Sequence, residues 1–121
     1  MVTLNTMLQH ARDIVYHCNL LLYQDDLSTI QREYIDAIYR NADRYHTLER
    51  DEAELVKRDG WHHTLRSPLA PIKGYVEILL MDAGGPISQE QRAILKHIRF
   101  HCDSMTAISD DLVTTLAQAK K

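Results

Sequence analysis

The stretch Trp61-His62-His63-Thr64-Leu65-Arg66-Ser67-Pro68-Leu69-Ala70-Pro71-Ile72-Lys73-Gly74-Tyr75-Val76-Glu77-Ile78-Leu79-Leu80 carries apolar side chains at Leu65, Leu69, Ile72, Val76 and Leu79. Those steps of four and three mark one face of a helix and the seam of a coiled-coil-like bundle. Two prolines interrupt the pattern. Pro68 and Pro71 each lack a backbone donor and crowd the carbonyl of the preceding turn. The carbonyls of Thr64 and Ser67 therefore lose their helical partners, and a kink is expected just after His63. A proline inside a helix costs about 3 kcal/mol, so an idle one is not expected. The alternative is a fresh helix starting at Pro68 with Ser67 as its cap.

Downstream, Gly84-Gly85-Pro86 stops this helix, because neither residue type continues one cheaply. Ser88 then opens another helix, with Gln91 three residues on in a capping-box pattern. Its seam is Leu95, Ile98, Cys102, Met105, Ile108 and Leu112. Upstream, Gly60 marks a break or kink, preceded by a charged run, Glu49 to Asp59, which reads as a solvated helix end. A helix opened by Ser28 and Gln31 carries Ile35, Ile38, Ala42, Tyr45 and Leu48. The first helix carries Leu4, Met7, Ala11, Ile14, Cys18 and Leu21, and ends near Gln24-Asp25-Asp26.

The two halves resemble each other. An offset of 58 lays Met7, Ala11, Ile14, Cys18 and Leu21 on Leu65, Leu69, Ile72, Val76 and Leu79. An offset of 60 lays Ser28 on Ser88, Gln31-Arg32 on Gln91-Arg92 and Ile38 on Ile98. The difference falls in the hairpin loop, where insertions are tolerated. The fold class is therefore all-α: an antiparallel four-helix bundle of two similar hairpins, since a lone hairpin leaves its seam exposed. The bundle closes within one chain as a pseudo-dimer, or between two chains as a homodimer; periodicity admits both. Residues 1–121 form a single helical domain, 1–56 the first hairpin and 61–118 the second.

Composition narrows the function. Of 121 residues, 45% are hydrophobic and 26% charged, an ordinary globular balance, and the formal net charge is −3. No basic face points to nucleic acid. No apolar run reaches the roughly 18 residues of a membrane span, and no basic-then-apolar leader is seen, so a cytoplasmic setting is expected. Cys18 and Cys102 fit small buried apolar residues better than a disulfide or zinc framework. His97 and His101 are four apart, a spacing that can hold a metal on a helix. The sequence names no third ligand, so no metal is expected. Tyr16, Tyr23, Tyr34, Tyr39 and Tyr45 read as core and interface packing, with a surface for a sensory partner as the alternative.

His63 and Ser67 share a stripe beside the seam, and Ala70 and Gly74 continue it with small side chains. That leaves a shallow channel along which a macromolecular partner can approach His63. A register shifted by one residue would put His62 in its place. The string His63-Thr64-Leu65-Arg66-Ser67-Pro68-Leu69, followed by Ile72-Lys73-Gly74-Tyr75 and Ile78-Leu79-Leu80, resembles the histidine box of sensor histidine kinases. Gln89, Gln91 and Ile108-Ser109-Asp110-Asp111-Leu112 resemble that family's second helix. Residues 61–116 are thus similar to the dimerisation and histidine-phosphotransfer (HisKA-like) domain.

The resemblance implies a two-component phosphotransfer module with His63 as phosphoacceptor. The phosphoryl group comes from ATP and passes to an aspartate of a response-regulator receiver domain. By the same carry-over, Arg66 takes the family arginine position and Pro68 that of the helix-bending proline. Ser67 stands where relatives carry a Thr or Ser that orients water. An unperturbed imidazole, with a pKa of about 6.5, is a competent nucleophile near pH 7. The implied partners are the receiver domain, a kinase catalytic domain and, through the seam, a second copy. No cofactor is expected on this chain, which shows neither a P-loop nor a kinase glycine loop; Mg-ATP would be held by a separate catalytic domain. Two departures stand out. Thr64 replaces the acidic residue that follows the family's histidine and orients its ring. In the first hairpin, Asn5 and His10 fall where His63 and Pro68 lie, making that hairpin a degenerate copy. A scaffold that binds and regulates a kinase or receiver domain without chemistry is the competing reading, and Thr64 favours it.

Overall fold

The computed structural model describes residues 3–119, and no strand occurs among them. Helix α1 spans Leu4–Leu22, with the Thr3 side chain accepting from the Thr6 N–H as its cap. Helix α2 spans Thr29–Asp43 and tightens into a 3-10 turn, Arg44–Thr47. A one-turn helix α3, Glu52–Leu55, follows. Helices α4, Trp61–Arg66, and α5, Leu69–Leu80, form one interrupted rod, and α6 runs from Gln89 to Ala119.

Helix α1 packs on α2 and α6, and α5 packs on the same two helices, so the rods close a ring. Both hairpin loops lie at one end. There the Ser28 hydroxyl donates to the Gly84 carbonyl at 2.7 Å, across from one hairpin to the other. Neighbouring rods therefore run antiparallel, while α1 and α5, on the diagonal, run in the same direction. Every seam position read from the periodicity in α1, α5 and α6 is buried; in the second helix Leu48 alone stays half-exposed. Each fully buried Leu or Ile contributes roughly 1.5–3 kcal/mol.

The likeness between hairpins extends to hydrogen bonds. In each capping box the serine and glutamine satisfy one another: Ser28 with Gln31 at 2.8 and 3.1 Å, Ser88 with Gln91 at 2.8 and 3.0 Å. Both glutamines are buried, and each amide then crosses to the opposite loop. Gln31 Nε2 donates to the Gly85 carbonyl at 2.9 Å; Gln91 Nε2 donates to Gln24 Oε1 at 2.8 Å and Asp26 Oδ1 at 2.9 Å. The adjacent arginines close their own hairpins. Arg32 donates to the Leu22 carbonyl at 3.0 Å and Arg92 to that of Leu80 at 2.9 Å, the last residue of each preceding helix. Gly84 takes φ +88°, which L side chains rarely adopt, and a Cβ there would stand 3.0 Å from Ile30 Cγ2, close enough that Ile30 would have to shift.

Helix α1 ends at Leu22, with Tyr23 as its cap, close to the expected Gln24. Two details differ from the sequence reading. The run Glu49 to Asp59 is a connector, not a helix end: Leu48 is extended, Asp51 caps α3, and Leu55 is buried. It is tied down by tertiary bonds that local pattern does not reveal, among them the Leu4 N–H donating to Glu52 Oε1 at 3.2 Å. Tyr45 is buried and Tyr34 and Tyr39 partly so, but Tyr16 and Tyr23 are exposed.

Candidate functional site

Gly60 sets the start of the site. Its left-handed backbone, φ +69°, turns the connector into α4, a conformation glycine adopts without steric cost. Buried Trp61 and Leu65 anchor α4 to the core. That register turns His62, His63, Thr64 and Arg66 out to solvent. His63 sits in the middle of this short helix, and its carbonyl accepts the Ser67 N–H at 2.8 Å. His62 is also exposed and stands edge-on to the Trp61 ring, 5.2 Å between centroids.

The helix breaks at Ser67-Pro68, where the prolines placed the kink. Both residues keep right-handed helical backbone, and no side chain caps α5, so Ser67 does not act as a new helix cap. The helix is interrupted there. Side chains also reach backbone acceptors around the break. The buried Tyr45 hydroxyl donates to the Leu65 carbonyl at 2.7 Å, and Cys102 Sγ donates to the Leu69 carbonyl at 3.5 Å. Tyr45 thus fixes the histidine-bearing turn from the first hairpin. Nothing in the sequence distinguished it from a packing tyrosine.

The charged groups are paired across elements. Arg66 donates to Asp110 Oδ1 of α6 at 2.9 Å, a half-exposed pair worth no more than about 1 kcal/mol. It steers α4 against α6 more than it stabilises the fold. Arg44, from the 3-10 turn, donates to Ser67 Oγ at 3.4 Å. This places a second guanidinium on the histidine segment, one the sequence reading missed because it arises from the other hairpin. Ala70 and Gly74 are exposed, and a Cβ built on Gly74 meets nothing within 4 Å. The stripe from His63 through Ser67, Ala70 and Gly74 is therefore an open strip.

Thr64 lines a groove with Arg44, Thr47, Leu48, Glu49, Asp59 and Trp61. Glu49 and Asp59 are the acids of this groove. Glu49 is already engaged: its Oε1 accepts the Asp51 N–H at 3.1 Å and its Oε2 meets Arg58 at 3.1 Å. The Asp51 amide, then the Arg58 guanidinium, hold its carboxyl below the ordinary range. In α1, the segment matching the histidine box is uninterrupted, and His10 stands where Pro68 bends α5.

A helical hairpin that exposes a histidine one turn before a proline break has the build of a phosphoacceptor and dimerisation module of two-component signalling. Residues 59–116 match the family described as His Kinase A (phospho-acceptor) domain. No curated protein and no solved structure matches the chain. No helix among the described residues is long and apolar enough to cross a membrane.

Proposed function

We propose that this protein is a phosphotransfer module in which His63 accepts a phosphoryl group and passes it to an aspartate of a response-regulator receiver domain. The observation that carries the reading is the exposed His63 in a family-matched segment, on a helix that breaks one turn later, tied down by Tyr45 and beside an open strip. An imidazole nitrogen of His63 attacks the γ-phosphorus of ATP presented by a separate kinase catalytic domain; ADP leaves and the ring gives up its proton. The receiver carboxylate then attacks the same phosphorus and the imidazole departs. Such transfers depend mainly on positioning and on neutralising charge. Arg44 lies at Ser67 and is suited to the second task, whereas Arg66 is partly neutralised by Asp110.

In the same reading the first hairpin fills the place that a second copy takes in a symmetric dimer, leaving one acceptor histidine per bundle. The scaffold alternative rests on Thr64, which cannot supply a charge to orient the imidazole. Incubation with radiolabelled ATP and a panel of histidine-kinase catalytic domains separates the two. Acid-labile label on the wild type and none on His63→Gln supports phosphotransfer. A folded protein that binds a receiver or catalytic domain equally well as wild type and His63→Ala, with no label on either, supports the scaffold.

A further inference from the structure

Four of the seven histidines lie where α1 packs on α6, away from the histidine box. His10 and His101 bring their Nδ1 atoms to 2.9 Å of each other. An Asp13 carboxylate oxygen stands 3.9 Å from His101 Nδ1, and one ligand atom from each of the three lies within 4.8 Å of the others. His17 Nδ1–H donates to the Asp13 carbonyl at 2.6 Å, which leaves Nε2 as that ring's lone pair; its ring centroid is 5.6 Å from that of His101. His97 stacks on His17 at 5.4 Å.

Two imidazoles facing through the same nitrogen are compatible only if one donates and the other accepts. A divalent cation removes that restriction by taking a lone pair from each ring. In a tetrahedral site with metal–nitrogen bonds of about 2.0–2.1 Å, ligand atoms stand about 3.3 Å apart. The two Nδ1 atoms and the Asp13 oxygen bracket that spacing, so small rotamer adjustments close the set. His101 is largely buried, with 15% of its side chain exposed. The sequence could supply only His97 and His101 as a pair; the fold turns one of them toward two further donors on α1.

We propose that His10, Asp13 and His101 form a binding site for a divalent transition-metal ion of the zinc class, with the fourth position open to water. Two imidazoles and a carboxylate suit Zn2+, and Co2+ or Ni2+ as substitutes, better than Mg2+ or Ca2+, which prefer all-oxygen shells. Because α1 belongs to the first hairpin and α6 to the second, the bound ion clasps one hairpin to the other and raises the stability of the bundle by mass action. This site stands independently of phosphoryl transfer at His63.

The test is titration of the chelator-treated protein with Co2+, followed by its visible absorption, with Zn2+ as competitor and melting temperature as a second readout. One Co2+ per chain is expected, displaced by Zn2+, with a melting temperature that rises on addition of either. His10→Gln and His101→Gln should each weaken binding by about tenfold or more, and a His62→Gln/His63→Gln double variant should bind as the wild type does. On the unsubstituted protein, Zn2+ should move the imidazole nitrogen resonances of His10 and His101. Absence of saturable binding, binding that survives in a folded His101→Gln, or resonance shifts confined to His46, His62 and His63 would overturn the assignment.

Discussion

At the scale of single residues, the site separates groups that carry chemistry from groups that hold it in place. His63 is exposed and its side chain supports no packing, so His63→Gln should abolish phosphorylation and leave the melting temperature unchanged within about 0.5 kcal/mol of stability. On the proposed phosphotransfer reading, Thr64 is the departure expected to slow the reaction. A carboxylate beside an imidazole orients the ring and stabilises its cationic form, effects worth about a hundredfold or more in proton-transfer catalysis. Thr64→Glu should therefore raise the rate of His63 labelling by a supplied catalytic domain, measured under single-turnover conditions. An unchanged rate would contradict the role given to the missing acid. The cysteines are inert by the same physical reasoning. Burial pushes the Cys18 thiol up to about 12 and that of Cys102 up to about 11. Neither should react with iodoacetamide at pH 8 in the folded protein, and both should do so in denaturant; rapid labelling without denaturant would contradict the buried assignment.

At the scale of elements, the two hairpins show which features a sequence discloses. The seams, the capping boxes at Ser28 and Ser88, and the break at Pro68 all follow from residues within four positions of one another, so spacing alone reveals them. The connector after α2 does not. Its course depends on Tyr45 meeting the Leu65 carbonyl and Glu52 meeting the start of α1, pairs separated by 20 and 48 positions. Arg44 beside Ser67 and the histidines of α1 facing His101 were hidden for the same reason. Tyr45→Phe tests the long-range tie. It leaves a buried carbonyl without its donor and should cost about 1–3 kcal/mol in urea unfolding. If His63 is positioned through this bond, the variant should also slow labelling at saturating catalytic domain. Gln31→Ala and Gln91→Ala each remove a buried amide that satisfies both its own helix start and the opposite loop. Each should lower the urea midpoint by a similar amount, without changing the cooperativity of the transition.

At the scale of the whole molecule, one chain supplies all the rods of the ring, and its loop end is locked by reciprocal bonds between hairpins. This favours a monomer of 14.0 kDa over the dimer that the periodicity also allowed, which light scattering after size exclusion will read directly. A dimer at micromolar concentration would contradict the pseudo-dimer reading. The all-helical class was legible because four apolar stripes of similar length, separated by glycine, proline and capping serines, admit few other arrangements. Which rods neighbour which was not legible, since any two amphipathic helices can share a seam. The pH response is also a property of the whole bundle. Cys18 keeps its proton in the fold to about 12 but loses it near 9 when unfolded, so the unfolded chain binds fewer protons in that window. Stability should be intact below pH 9 and fall as pH rises toward 12, and Cys18→Val, which copies the matching Val76, should flatten that fall.

The central claim is that His63 carries phosphate between proteins. It is tested most directly by mixing the intact protein with phosphorylated receiver domains and mapping any transferred group by mass spectrometry under neutral conditions. The expected result is a single acid-labile phosphate on His63, absent from His63→Gln and returned to unphosphorylated receiver on its addition. Phosphate on His62 or another residue, or none on a folded protein that binds the receiver, would contradict it.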